Sequence, residues 1–204
     1  DLHWTQAGSG IVHEETPSRP GQPANGLQIF VNMARSHKQD PAAVFKVARQ
    51  AMPVWQEAGV RVKVAAGAFQ GLSSPINADE RWATQVNLLD ITLQGGAHFD
   101  LPVPQAHNGF LMVIAGSLNA GDHAARAQQT VVLAPARPDS AGAGVLPLRA
   151  GEGGAHVVLF SGQPLREPIV PYGPFVGNSR QDIAAYAAAF QSGAMGTLEP
   201  SFSR

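Results

Sequence analysis

With 204 residues, 14 Lys and Arg against 15 Asp and Glu, and a formal net charge of -1, the chain offers no basic footprint for nucleic acid and no polybasic patch for anionic lipid. The absence of cysteine excludes disulfides, Cys-based zinc sites and thiol nucleophiles together, and agrees with a cytoplasmic location. No long apolar run and no charged-then-apolar leader is present, so neither a membrane span nor a signal peptide is expected.

The first residues, DLHWTQAG, read as a strand and turn carrying Trp4. Because the sequence starts at Asp1 rather than Met, the natural protein is expected to begin upstream. The next stretch, GSGIVHEET, sets an imidazole and a carboxylate two positions apart at His13 and Glu15. If it is extended, these two share one face and Val12 and Glu14 the other. A neutral imidazole and a carboxylate are donor types that iron, zinc or copper accept. Taken alone, an H-x-E pair is common on ordinary surfaces.

Downstream, GLQIFVNM (26–33) reads as a strand. A helix is expected from Pro41 to about Met52, with Asp40 as N-cap and Val44, Val47, Ala48 and Ala51 on one face. Short extended segments separated by Gly, Pro and Asn follow: VRVKVAAGAF (60–69), VNLLDITL (86–93), GFLMVIAGSL (109–118), TVVLAP (130–135), GVLPLRA (144–150) and HVVLFSG (156–162). This pattern belongs to an all-β sandwich or barrel. A second helix has Ser179 as N-cap, Asp182 three residues on, a buried stripe of Ile183, Ala187 and Phe190, and Gly193 as its stop. The tail after Met195 is polar and expected to be loose. Residues 1–35 hold strands with nothing to pair with, so the apolar side chains of Trp4, Ile11, Leu27, Ile29 and Val31 need strands from elsewhere.

Several motifs are absent. No G-x-S-x-G nucleophile elbow supports Ser-His-Asp catalysis, and no glycine cluster is followed by G-K-[ST] as in a phosphate loop. Asp90 and Asp100 stand at no spacing diagnostic of paired acid and base.

Taken in order, Trp4, AGSGIVHEE, GLQIFVN, GVRVKVAAGAFQG, LLDITLQGGAHFDLPVPQAHNGFLMVIAGSL, GQPLREPIVPYGPFVGNSRQDI and QSGAMG resemble the pirin family of bicupins. The run EPIVPYGPFVGNSRQDI, with its fixed Pro, Gly and Asn positions, is the most specific part. The resemblance implies two stacked cupin barrels, each a double-sheet jelly roll. Residues 1–35 would be the closing strands of an incomplete N-terminal barrel, 36–56 a connecting segment with a short helix, 57–165 the C-terminal cupin domain, and 166–204 a segment and helix packing back between the barrels.

In the family the N-terminal barrel holds one metal, usually iron, through two His of an early H-x-H run and the His and Glu of a later G-x-G-I-x-H-x-E segment. By that match His13 and Glu15 are the metal ligands and Glu14 is not; zinc, copper, nickel or manganese also suit these donor types. The H-x-H run is absent here. If a complete site is worth ~10 to 16 kcal/mol, losing half the donors weakens binding on the order of ten-thousand-fold or more, so this chain alone is expected to hold little metal. The C-terminal barrel is expected to bind none, because after His107 the ligand positions fall on Gly109 and on Met112 or Val113. His3, His37, His98, His123 and His156 read as structural, solvated or hydrogen-bonded residues.

The resemblance implies quercetin or flavonol 2,3-dioxygenase activity when the site is complete, with Glu15 as the catalytic proton acceptor and Trp4 and Ile11 lining a dry cavity. The alternative it implies is a non-enzymatic iron protein acting on a transcription factor or a metabolic enzyme. The expected partners are a flavonol-like small molecule or a protein, with no nucleic acid and no membrane. A third reading is a truncated form without tight metal binding.

Overall fold

A computed structural model describes residues 1–15, 26–134 and 142–199. Its strands are β1 (Leu2–Gln6), β2 (Ala43–Val47), β3 (Val54–Glu57), β4 (Val60–Ala66), β5 (Ala68–Phe69), β6 (Leu72–Ser73) and β7 (Val86–Leu93). They continue with β8 (His98–Pro104), β9 (Asn108–Ala120), β10 (His123–Arg126), β11 (Thr130–Val132), β12 (Ala143–Gly162), β13 (Val170–Tyr172) and β14 (Phe175–Gly177), before helix α1 (Arg180–Gln191). The chain divides into two compact units, one of Asp1–Trp4 and Phe45–Leu165, the other of Thr5–Val44 and Arg166–Arg204.

The first unit is built on an eight-stranded sheet in the order β10-β9-β12-β7-β4-β3, with β11 added to β9 and β8 to β12. Alternation explains its core. Val60, Val62 and Val64 of β4, Leu89, Ile91 and Leu93 of β7, Phe99 and Leu101 of β8, Leu111 and Val113 of β9, and Val157 and Leu159 of β12 all point to one buried cluster. Trp55 closes one side of it against Phe99 and Phe69, at ring separations of 5.5 and 5.6 Å.

β12 is long because it serves both halves of the sheet. Its residues 143–149 pair with β8 and its residues 155–162 with β7, while β9 runs beside both parts with a register shift between Ala150 and Ala155. The bend falls where Gly154 (φ +80) and Gly116 (φ +74) face each other. A Cβ on Gly116 would lie 2.1 Å from the Gly154 carbonyl oxygen, so only glycine lets the two strands turn this corner together.

Several sequence expectations change here. The segment expected to be a helix over 41–52 is β2 followed by a 3-10 turn, Arg49–Ala51. Its residues AVFKV bury Ala43, Phe45 and Val47 and expose Val44 and Lys46, a period of two that suits a β-branched, aromatic segment pairing with β1. The strand expected at 26–33 forms no ladder; residues 26–34 are irregular, and Phe30 is 90% exposed. The segments at 144–150 and 156–162 are one strand rather than two. β8 was hidden by Pro102 and Pro104, which face away from Leu101 and Val103 on a strand whose partner is β12. Pro135 of the expected strand over 130–135 and residues 200–204 of the tail lie outside the described residues.

In the second unit, β13 and β14 form a hairpin followed by α1. The Ser179 side chain accepts a hydrogen bond from the Asp182 amide, as its N-cap position requires. At the other end Gly193 (φ +78) donates to the Phe190 carbonyl and Ala194 to that of Ala189, which is a Schellman closure. The expected buried stripe is shallower than the sequence suggested: Ile183 and Ala187 are half-buried and Phe190 is 56% exposed. Phe175 meets Tyr186 and Phe190 at 6.2 and 6.4 Å and covers one side of the helix. No helix among the described residues is long and apolar enough to cross a membrane.

Candidate functional site

The segment that carries His13 and Glu15 is shaped by two glycines. Gly8 (φ +52) turns the chain against the backbone of Asp40, whose carbonyl accepts the Ser9 amide at 2.9 Å. Gly10 (φ +124) passes so close to Met195 that a Cβ would lie 2.5 Å from its sulfur. Beyond this turn residues 11–15 join no ladder. Ile11 and Val12 are half-buried, whereas His13, Glu14 and Glu15 are exposed.

Among the described residues His13 makes no hydrogen bond or ion pair. Glu15 accepts one long hydrogen bond at Oε2, 3.5 Å from Nε2 of Gln28, and its Oε1 has no partner there. An imidazole free of partners and a carboxylate with one free oxygen fit a divalent metal as two of its donors. They do not complete a site: no group of three or more His, Asp or Glu among the described residues could hold a metal.

Close to this segment in the same unit lies a polar clasp that sequence reasoning missed. Lys38 is 6% exposed, and its ammonium donates to Asn32 Oδ1 at 2.7 Å and to the Val176 carbonyl at 3.2 Å. Burial pushes the Lys38 pKa down, while the carboxylates of Glu167 and Asp182 oppose that shift. The Arg35 amide donates to Glu167 Oε2 at 2.8 Å, and the Asn178 side-chain amide donates to the same oxygen at 3.1 Å and to the Pro168 carbonyl at 2.9 Å. Asp182 accepts the Asn178 backbone amide at 2.8 Å, which holds its carboxyl below the ordinary carboxylate range. The only signal in the sequence was the fixed spacing of Glu167, Asn178, Ser179 and Asp182 within EPIVPYGPFVGNSRQDI. The clasp explains that spacing: each of those four residues makes a bond that depends on its place.

The other expected residues have settings of their own. Trp4 is half-buried and meets Trp82 edge to face at 5.8 Å in the first unit. In the same unit His107 places Nδ1 3.2 Å from the Oγ of fully buried Ser161, and burial lowers its pKa. Around it the inward positions of β9 and β12 hold Leu111, Val113, Val157 and Leu159. Gly109 is fixed by crowding, since a Cβ there would lie 2.6 Å from the Phe160 carbonyl oxygen. His156 bonds Asp90 at 3.0 Å, and Lys63 lies 3.9 Å from the other carboxylate oxygen. The hydrogen bond from His156, with the charges of His156, Lys63 and Arg61, lowers the Asp90 pKa against the effect of burial. His37 pairs with Asp40 at 2.8 Å, and His3, His98, His123 and Asp100 are exposed.

Comparison with known proteins places this architecture. The family model of the pirin C-terminal cupin domain matches residues 88–196. The chain is 34% identical to a putative quercetin 2,3-dioxygenase of Pseudomonas aeruginosa, over 95% of this chain and 67% of that protein. It is 32% identical to rat pirin, over 94% of this chain and 64% of the relative. The crystal structure of a quercetin 2,3-dioxygenase from Acinetobacter baumannii superposes with a TM-score of 0.70 at 25% identity, covering 83% of this chain and 56% of that one. The chain thus spans about two thirds of the length of the curated relatives it matches. The eight-stranded sheet with its shared bend in β9 and β12 is a cupin jelly roll. On the family model and these identities, the chain belongs to the pirin family.

Proposed function

We propose that this chain carries half of the metal site of a flavonol 2,3-dioxygenase-type pirin, with His13 and Glu15 as two ligands of one iron. Among the described residues no third donor joins them. The observation that carries the reading is the exposed pair itself: His13 has no partner among the described residues, and Glu15 keeps Oε1 free, in a chain whose relatives include a putative quercetin 2,3-dioxygenase.

Bound iron would supply a Lewis acid and open positions for a flavonol oxygen and dioxygen. The protein's own contribution is simpler. His13 offers a ring nitrogen to the metal, and the Glu15 carboxylate, whose Oε1 has no partner among the described residues, is the group that takes the flavonol hydroxyl proton before it binds the metal. The exposure of both side chains leaves the pair open to a planar ligand.

The test is oxygen uptake with quercetin by iron-loaded protein translated from the whole open reading frame. Uptake that Glu15→Gln abolishes is expected. Full iron loading with no turnover across several flavonols would overturn the enzymatic reading and favour a binding protein that acts on a transcription factor or metabolic enzyme.

A further inference from the structure

We infer that His107 and Ser161 form an acid-sensitive latch at the end of the jelly roll where β9 begins and β12 finishes. The latch involves neither His13 nor Glu15. Its geometry follows from the strand period of two. Val157, Leu159 and Ser161 of β12 point inward, as do Leu111 and Val113 of β9, so a fully buried hydroxyl takes the next place in an apolar row. Ser161 lies opposite Gly109 on β9. A Cβ on Gly109 would lie 2.9 Å from the Ser161 Cβ and 3.1 Å from Leu133 Cδ1, so only a bare glycine lets the strands pack this closely beside the pair. His107, just before β9, is half-buried and sets Nδ1 3.2 Å from the Ser161 Oγ. Among the described residues that hydroxyl has no other partner.

The pair is satisfied in one protonation state only. With the imidazole neutral, Nδ1 accepts the Ser161 O–H. Protonation turns Nδ1 into a donor; the bond then reverses, and the buried O–H is left without an acceptor while a charge is held away from water. Nothing opposes that cost. Burial alone pushes the His107 pKa below its ordinary 6.5, and among the described residues no charged group on β7, β9, β12 or the turn at Pro104 acts on it. Below pH 6.5 the opened pair therefore takes up a proton that the closed pair resists. Opening at this end becomes easier as pH falls, by at most about ten-fold per pH unit for one proton.

Native-state hydrogen exchange of the 204-residue chain, corrected for the intrinsic pH dependence of exchange, reads the latch at two amides beside it. The Leu133 amide donates to the Gly109 carbonyl at 2.9 Å, and the His107 amide to that of Pro104 at 3.0 Å. Their opening constants are expected to rise several-fold as pH falls from neutral through 6.5, while that of Val62 in β4 stays flat. His107→Asn offers Ser161 a neutral partner at every pH and should hold both amides constant. Ser161→Ala should speed exchange at both already at neutral pH. Urea unfolding checks that the variants fold; if either does not, the comparison of Leu133 with Val62 in wild type still decides. Opening constants that ignore pH in wild type, or that change equally at Val62 or in His107→Asn, would overturn the latch. Unaltered exchange in folded Ser161→Ala would overturn it as well.

Discussion

Replacing Leu111 by Ala tests whether the interior of the jelly roll is a closed apolar core or a ligand cavity. Leu111 is fully buried and lies opposite Leu159 on β12 and Val131 on β11. Three carbon atoms are removed, which costs ~2.4 kcal/mol of transfer free energy at ~0.8 kcal/mol per methylene. Incomplete collapse of the cavity raises the loss to ~3 to 4 kcal/mol. For a chain of this size that lowers Tm by roughly 6 to 16 °C. Urea unfolding followed by the fluorescence of Trp55, which packs on Phe99 at 5.5 Å, reads the change in the right unit. Val132→Ala at a position 77% exposed is the control and should stay within ~0.5 kcal/mol of wild type. A loss below ~1 kcal/mol for Leu111→Ala would refute the reasoning, because only an interior already open to water or ligand loses so little when a leucine is truncated.

Other outcomes follow from the same structure. Lys38→Met keeps the stem but leaves Asn32 Oδ1 and the Val176 carbonyl without their charged donor, and should cost ~2 to 4 kcal/mol in urea unfolding; equal stability would show that the clasp is ornamental. Ser179→Ala removes the cap on the Asp182 amide and should cost ~1 kcal/mol, read as lost helicity by circular dichroism. The Asp90 carboxyl is more acidic folded than its ordinary value of 3.8, so its contribution is present above that pH and lost as pH falls through the folded pKa. Stability of Asp90→Asn, measured by urea unfolding across acid pH, should therefore fall less steeply below 3.8 than that of wild type; parallel curves would contradict the shift. Metal analysis of the 204-residue chain should find well under one iron per chain, and stoichiometric iron through His13 and Glu15 alone would contradict a half-site.

The parts legible in the sequence were those whose local pattern and tertiary role agree. VNLLDITL became β7 over those same residues because alternate side chains enter the core and β-branched residues suit a central strand. Ser179, Asp182 and Gly193 marked α1 through chemistry that acts within one turn. Residues 41–52 misled because Val44, Val47, Ala48 and Ala51 fit a helical face while Ala43, Phe45 and Val47 fit a strand, and pairing with β1 decides between them. β8 was masked by its prolines, which mark its outward face. At the site, His13 and Glu15 carried a donor pattern within three residues. Gln28, Lys38 and Glu167 did not: their bonds to Glu15, to the Val176 carbonyl and from the Arg35 amide span 13, 138 and 132 positions, which leaves no local trace.

The central claim is that His13 and Glu15, and not their neighbours, hold the metal of this pirin-family protein. Iron stoichiometry by mass spectrometry, on protein translated from the whole open reading frame, tests it most directly. Wild type, Glu14→Ala and His107→Ala should each carry about one iron per chain, as expected for one mononuclear site, and His13→Ala and Glu15→Ala should lose it. Iron retained at full stoichiometry in His13→Ala would contradict the account.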